Sequence, residues 1–236
     1  MFKIFITAQF FWRYSILLVL GFILFTVVGT LSHEAGHYLI AKKYYKNPSL
    51  HYGSVRYGEW KEYNRFQKWF VKHRESDNTI ASEHKETFQK FKNRLTKQRF
   101  YATLAGPLQT VLFGTIGFVA LLFSAKKRFG IKNWLLVFLT FFWARELYIL
   151  IALTIRWSLT GNISPSADEV VIAKYLELQP LSLAFILGII ASIIILYTLF
   201  KIIPLQYRLT FLCSGLVGSL LGFWFWLKLL GPIIMP

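Results

Sequence analysis

Apolar residues run along this chain in five long blocks, roughly 14–41, 100–123, 134–157, 181–200 and 209–230. Each reaches the length of about 20 residues that a helix needs to cross the hydrocarbon core of a bilayer. The pattern predicts an all-α membrane protein of five transmembrane helices, organised as one integral membrane domain over residues 1–236. Residues 42–99 form the one long polar stretch. Asn47 and Pro48 end the first helix there, and the following SLHYGSVRYG, with β-branched and aromatic residues between glycines, predicts a short hairpin or extended strand. Beyond it Trp60, Tyr63, Phe70, Phe88, Phe91 and Leu95 recur at helical spacing among lysines and arginines. That alternation predicts interfacial helices lying on the bilayer. A solvated basic loop with accidental periodicity is the competing reading.

Composition strengthens the membrane assignment. The chain is 55% hydrophobic and 18% aromatic, with a mean hydropathy of +0.47, which does not suit a soluble domain. Its net charge of +16 would fit nucleic acid or a membrane surface. Basic residues collect at the cytoplasmic ends of membrane helices and at anionic lipid, and the chain has no nucleic-acid-binding module signature. The expected partner of the basic loop is therefore an anionic lipid surface, with no nucleic acid. Residues 42–99 hold fifteen Lys or Arg against six Asp or Glu, a balance of +9. By the positive-inside rule this loop is cytoplasmic and the N-terminus outside, although the short basic connection 126–132 on the other face opposes that orientation. Lys3 and Arg13 before an apolar run resemble a signal sequence, but cleavage after that run would fall beside the histidines discussed next, so an uncleaved anchor is expected. The lone cysteine, Cys213, excludes an intrachain disulfide and a thiolate cluster.

Candidate chemistry begins with HEAGH, residues 33–37. Four residues of helix turn the chain by about 400°, so His33 and His37 emerge on one face and can grip one ion. Zinc accepts histidine and carboxylate ligands and acidifies a bound water, whose proton a neighbouring glutamate can take. Glu34 is placed for that task. A chance match in a chain of this length is roughly a one-in-a-hundred event, and the remaining histidines, His51, His73 and His84, all fall in the polar loop. Ionisable residues inside a span are costly and usually functional. The bland alternative is a pair of structurally satisfied histidines near a helix end.

A third ligand must come from the few acids outside the basic loop: Glu146, Asp168, Glu169 and Glu177. Glu146 lies mid-span beside Arg145. Neighbours on a helix point in different directions, so Arg145 need not be its partner, and Glu146 is either a hydrogen-bond acceptor behind a ligand histidine or a structural ion-pair member. Asp168 and Glu169 lie in an acidic segment, 158–180, after the third span. There Ser166 and Glu169 have capping-box spacing, which gives those acids a purely structural reading.

SHEAGHYLIA at the end of one span, with YATLAGPLQTVLFG opening the next, resembles the site-2 protease family of intramembrane zinc metalloproteases. The likeness covers roughly the first three spans and the segment after them. It implies a zinc ion held by His33, His37 and an aspartate two spans on, which falls on Asp168 in SPSADEVVIAKYLEL, with Glu34 as general base. It also implies substrate positioning by the second motif, carried here by Gly106, Pro107, Gln109 and Thr110. Thr110 stands where the family has asparagine, and Glu169 departs from the residues that usually follow the aspartate. By themselves Gly106 and Pro107 also suit close helix packing and a kink. The substrate implied is a transmembrane segment, which must unwind before its amides can be attacked. Residues 50–57 could then pair with it by β-addition. From His37 to the Lys42 boundary is a few residues, so the metal is expected on the order of 10 Å below the cytoplasmic surface. A metal transporter or a non-catalytic scaffold of the same fold are the alternatives. A transporter should carry polar residues across several spans, whereas the last two have almost none apart from Lys228, and a scaffold would not need Glu34.

Overall fold

A computed structural model describes residues 9–75, 79–124 and 129–236. Lys3 and residues 126–128 of the second basic connection lie outside the described residues. Five helical stretches are long and apolar enough to cross a membrane: Trp12–Tyr44, Ser82–Ser124, Ile131–Thr160, Ser182–Ile202 and Leu205–Ile234. Their outward faces agree with that. Leu17, Leu20 and Leu24 on the first, Ile186, Ile189 and Ile193 on the fourth, and Leu216 and Leu220 on the fifth are all exposed, an apolar surface far beyond what water tolerates.

The first span is one helix, α1 (Trp12–Tyr44). Strands β1 (Tyr45–Lys46) and β4 (Glu59–Trp60) pair antiparallel and enclose a tighter antiparallel hairpin of β2 (Ser49–His51) and β3 (Ser54–Arg56). The hairpin expected from SLHYGSVRYG is therefore present. Helix α2 (Lys61–His73) leads to α3 (Lys85–Ser124), a single helix of 40 residues.

The helices expected from the aromatic spacing are present, and the second of them is continuous with the second span. At 1.5 Å per residue α3 is about 60 Å long, and its polar N-terminal third continues the second span. Its aromatic stripe faces α2: Phe66 packs on Phe88 and Phe91 with ring centroids 5.7 and 5.9 Å apart, and Phe70 on Phe88 at 6.2 Å. Arg94 donates to the buried Glu62 at 3.0 Å and Trp60 Nε1 to Gln98 at 2.8 Å, which closes the pair. The aromatic stripes of the two helices thus pack on one another.

The third span is interrupted. α4 (Ile131–Thr140) passes through one tight 3-10 turn, Phe141–Trp143, into α5 (Ala144–Thr160). Then come the short α6 (Asp168–Tyr175), α7 (Ser182–Tyr197) with a π-helical end, α8 (Arg208–Trp224) with another, and α9 (Gly231–Ile234). α1 packs most extensively on α8 and α3. Small residues permit the first contact, since a side chain at Gly218 would meet the Val19 backbone at 2.8 Å, and Ser15 and Ser214 share a hydrogen bond of 2.8 Å. A core of Leu18, Phe22, Leu121, Val137, Phe138, Leu199, Ile203 and Phe211 occupies the half of the bundle away from the histidines.

Candidate metal centre

His33 and His37 leave α1 on the face that meets α3, and both are buried. Two glycines make that crossing possible. A Cβ on Gly36 would lie 2.5 Å from the Ala105 carbonyl oxygen, and one on Gly106 would lie 2.2 Å from His37 Nε2 and 2.6 Å from His33 Cε1. Gly106 is therefore the floor on which the imidazoles rest.

Helix α3 also orients both rings. His37 Nδ1 donates to the Ala102 carbonyl at 2.7 Å. The Thr110 hydroxyl gives its proton to the Gly106 carbonyl at 3.2 Å, which leaves its oxygen to accept from His33 Nδ1 at 3.0 Å. With both Nδ1 atoms protonated, both Nε2 atoms present lone pairs. These nitrogens are 3.1 Å apart. Asp168 Oδ2, at the start of α6, lies 3.2 Å from His33 Nε2 and 3.3 Å from His37 Nε2.

Three donor atoms with no proton to share between them, set at those separations, suit a cation. Zinc bonds of roughly 2.0–2.1 Å in tetrahedral array require ligand atoms about 3.3 Å apart. His33, His37 and Asp168 form the one such group among the described residues that could hold a metal ion. Burial opposes ionisation of Asp168, but its two imidazole neighbours and the charge of Arg145 outweigh it and hold the carboxyl well below its usual range.

Asp168 is held from behind as well. Arg145, on the first turn of α5, donates to Asp168 Oδ2 at 3.3 Å, to Glu169 Oε1 at 2.7 Å and to Glu146 Oε1 at 3.0 Å. Two expectations change accordingly. Glu146 touches neither histidine, and Arg145 is its partner despite being adjacent, because the long guanidinium arm turns back past its own helix end. Glu169 closes no capping box: Ala167 is the N-cap residue and makes no side-chain cap, while Glu169 is fully buried against Arg145. Arg145 was legible only as an ionisable residue in an apolar span. The Ala102 carbonyl left no signal in the sequence at all.

Glu34 borders a cleft of about 510 Å³ together with His33, His37 and Asp168. The cleft runs between α1, the third span and α8, and its far end is aromatic, with Phe22, Phe25, Phe138, Phe141 and Phe142. Tyr148 and Phe223, with ring centroids 5.9 Å apart, stand where it meets the outer surface. Gly53, Ser54, Val55 and Tyr57 of the hairpin segment border its polar end.

Of the four residues expected to position substrate, Gly106, Pro107 and Gln109 are not on the cleft wall. Pro107 is buried inside α3, which continues unbroken through it. Gln109 packs toward Gly36 and its amide atoms are buried without a partner. Thr110 reaches the wall, but its hydroxyl is engaged with His33 and the Gly106 carbonyl. Comparison of the chain with family models, characterised proteins and solved structures finds no match.

Proposed function

We propose that this chain is an intramembrane zinc-dependent peptidase that hydrolyses peptide bonds of membrane-embedded substrates. The observation that carries the reading is the triangle of His33 Nε2, His37 Nε2 and Asp168 Oδ2, with edges of 3.1, 3.2 and 3.3 Å, beside Glu34 at the polar end of an apolar cleft. Charge supports it. Asp168, Glu146 and Glu169 share a single guanidinium, that of Arg145, and a divalent cation offsets the excess that buried carboxylates cannot leave unpaired.

When bound, zinc acidifies a water and polarises a carbonyl. Glu34 takes a proton from the attacking water as its oxygen bonds to the scissile carbon, then delivers that proton to the amide nitrogen as the C–N bond breaks. Thr110 and the Ala102 carbonyl keep the imidazoles turned the right way, and Arg145 holds the Asp168 carboxylate in place. The aromatic end of the cleft takes apolar side chains, and the open strands beside its polar end offer backbone partners to an unwound segment. Hairpin residues of the basic loop border that polar end, which supports a site on the loop's side of the membrane, cytoplasmic by the positive-inside rule.

The test is Glu34→Gln in purified protein, with cleavage of an apolar, lysine-flanked helical peptide as the assay. Zinc should stay bound while turnover falls by about 10² to 10⁴. Unchanged turnover would remove Glu34 from the chemistry, and loss of zinc would make it a ligand instead.

A further inference from the structure

Hydrolysis of an amide leaves negative charge on the carbonyl oxygen, and a site that handles it needs a donor free to meet that charge. The cleft's other donors are mostly committed. Thr26, Thr30 and Thr110 give their protons to the carbonyls of Phe22, Thr26 and Gly106, and Arg145 is held by three carboxylates. Tyr57, by contrast, borders the cleft with Glu34 and Asp168, and its hydroxyl makes no hydrogen bond among the described residues.

Its placement is built into the hairpin. The ring packs on Tyr45 at 5.0 Å. The next residue, Gly58, turns the chain at φ +69, where a Cβ would strike the Lys46 carbonyl oxygen at 2.2 Å, so only glycine makes this turn. From the other side the hairpin is fastened to the end of the chain. Trp226 Nε1 donates to the Tyr52 carbonyl at 2.7 Å, the Tyr52 amide donates to the Met235 carbonyl at 3.2 Å, and His51 Nδ1 donates to the Pro236 carbonyl. Burial, and then the negative charges of Asp168 and Glu34, push the phenol of Tyr57 above its ordinary range. It therefore stays a neutral O–H donor while sensing both carboxylates of the site.

We propose that Tyr57 is a further catalytic residue, whose phenolic O–H donates a hydrogen bond to the scissile carbonyl oxygen as that carbon becomes tetrahedral. The proton stays on Tyr57 throughout, and the bond relaxes when the C–N bond breaks and the carbonyl re-forms. The assignment rests on the peptidase reading above.

The experiment compares Tyr57→Phe with the unsubstituted residue in a Glu34→Gln background, so that no probe is consumed. Two probes are titrated against the zinc-loaded chain: an apolar lysine-flanked peptide, and the same peptide with one backbone amide replaced by a tetrahedral, anionic phosphonate. Loss of the phenol should weaken the phosphonate about 10- to 100-fold and the amide peptide by less than about threefold, with zinc per chain and thermal midpoint unchanged. Equal effects on both probes, or none, would overturn the assignment. So would a larger phosphonate effect from Ser54→Ala, Tyr148→Phe or Ser219→Ala, the other cleft-wall hydroxyls not engaged with a backbone carbonyl.

If Tyr57→Phe loses zinc or fails to fold, 3-fluorotyrosine at position 57 keeps the shape and makes the donor more acidic. Tighter phosphonate binding then supports the role, and unchanged binding contradicts it. With Glu34 restored, a chain that cleaves normally as Tyr57→Phe sinks only this inference. A chain with residue 57 unsubstituted that binds no zinc and cleaves nothing sinks the peptidase reading, and this inference with it.

Discussion

Asp168 and Glu169 are neighbours in sequence and nearly alike in chemistry, yet the first turn of α6 sends one toward the imidazoles and the other into Arg145. Their substitutions should separate accordingly. Asp168→Asn keeps the shape but weakens a ligand that needs to be anionic, so zinc occupancy and cleavage should fall together while the protein still folds. Glu169→Gln should instead lower stability by about 1–3 kcal/mol, because a buried charge-assisted bond is replaced by a neutral one, and zinc should remain. Metal analysis beside thermal unfolding distinguishes the two. Thr110→Val makes a separate forecast. Its oxygen accepts from His33 Nδ1, so zinc affinity should drop about 10- to 100-fold with KM unmoved in metal-saturated protein. A rise in KM without loss of affinity would return Thr110 to the substrate-positioning role that the motif suggested. The histidine pair was legible in HEAGH because i, i+4 spacing is a property of one helix. Which acid faces it, and what stands behind each ring, depend on how α3 and α6 cross α1, and no local pattern in the sequence encodes that.

At the scale of elements, helical spacing announced aromatic stripes on α2 and the first third of α3, but a stripe does not say what it faces. Here Phe66 and Phe70 meet Phe88 and Phe91. The interruption at Phe141–Trp143 was invisible for a different reason: residues 134–157 contain no proline or glycine to mark it. It matters, because Arg145 follows directly on that turn and reaches α6 from there. The cleft beside it can be tested through α1. A Cβ on Gly29 would meet only Phe142 side-chain atoms, at 3.7 to 4.0 Å, which is ordinary contact, and Gly29 lines the cleft. Gly29→Leu should therefore fold and hold zinc normally while peptide cleavage falls by about tenfold or more, from steric occupation of the apolar end. Cleavage at the original rate would mean that substrate does not use this space.

For the molecule as a whole, five blocks of apolar sequence became five long apolar helices, since length and lipid-facing composition are properties of each block alone. Sidedness is a collective property. The Phe100 and Tyr175 rings stack with centroids 4.0 Å apart, so α6 and the base of the basic segment share one end of the bundle. With native Cys213 replaced by serine, cysteines introduced at Glu83 and at Asn162 should react with an impermeant thiol probe from the same, cytoplasmic side. Labelling of both from outside only would invert the orientation, and labelling from opposite sides would contradict the arrangement of spans. Chemistry at this site nevertheless turns on one ion. The most direct measurement is zinc per chain, by elemental analysis after removal of loosely bound metal, on the unmodified protein, His33→Ala and Asp168→Asn. The expected result is about one zinc per unmodified chain, with strong depletion in both variants at unchanged helical content. Zinc absent from the unmodified chain after exposure to the metal, or retained in full by both variants, would contradict it.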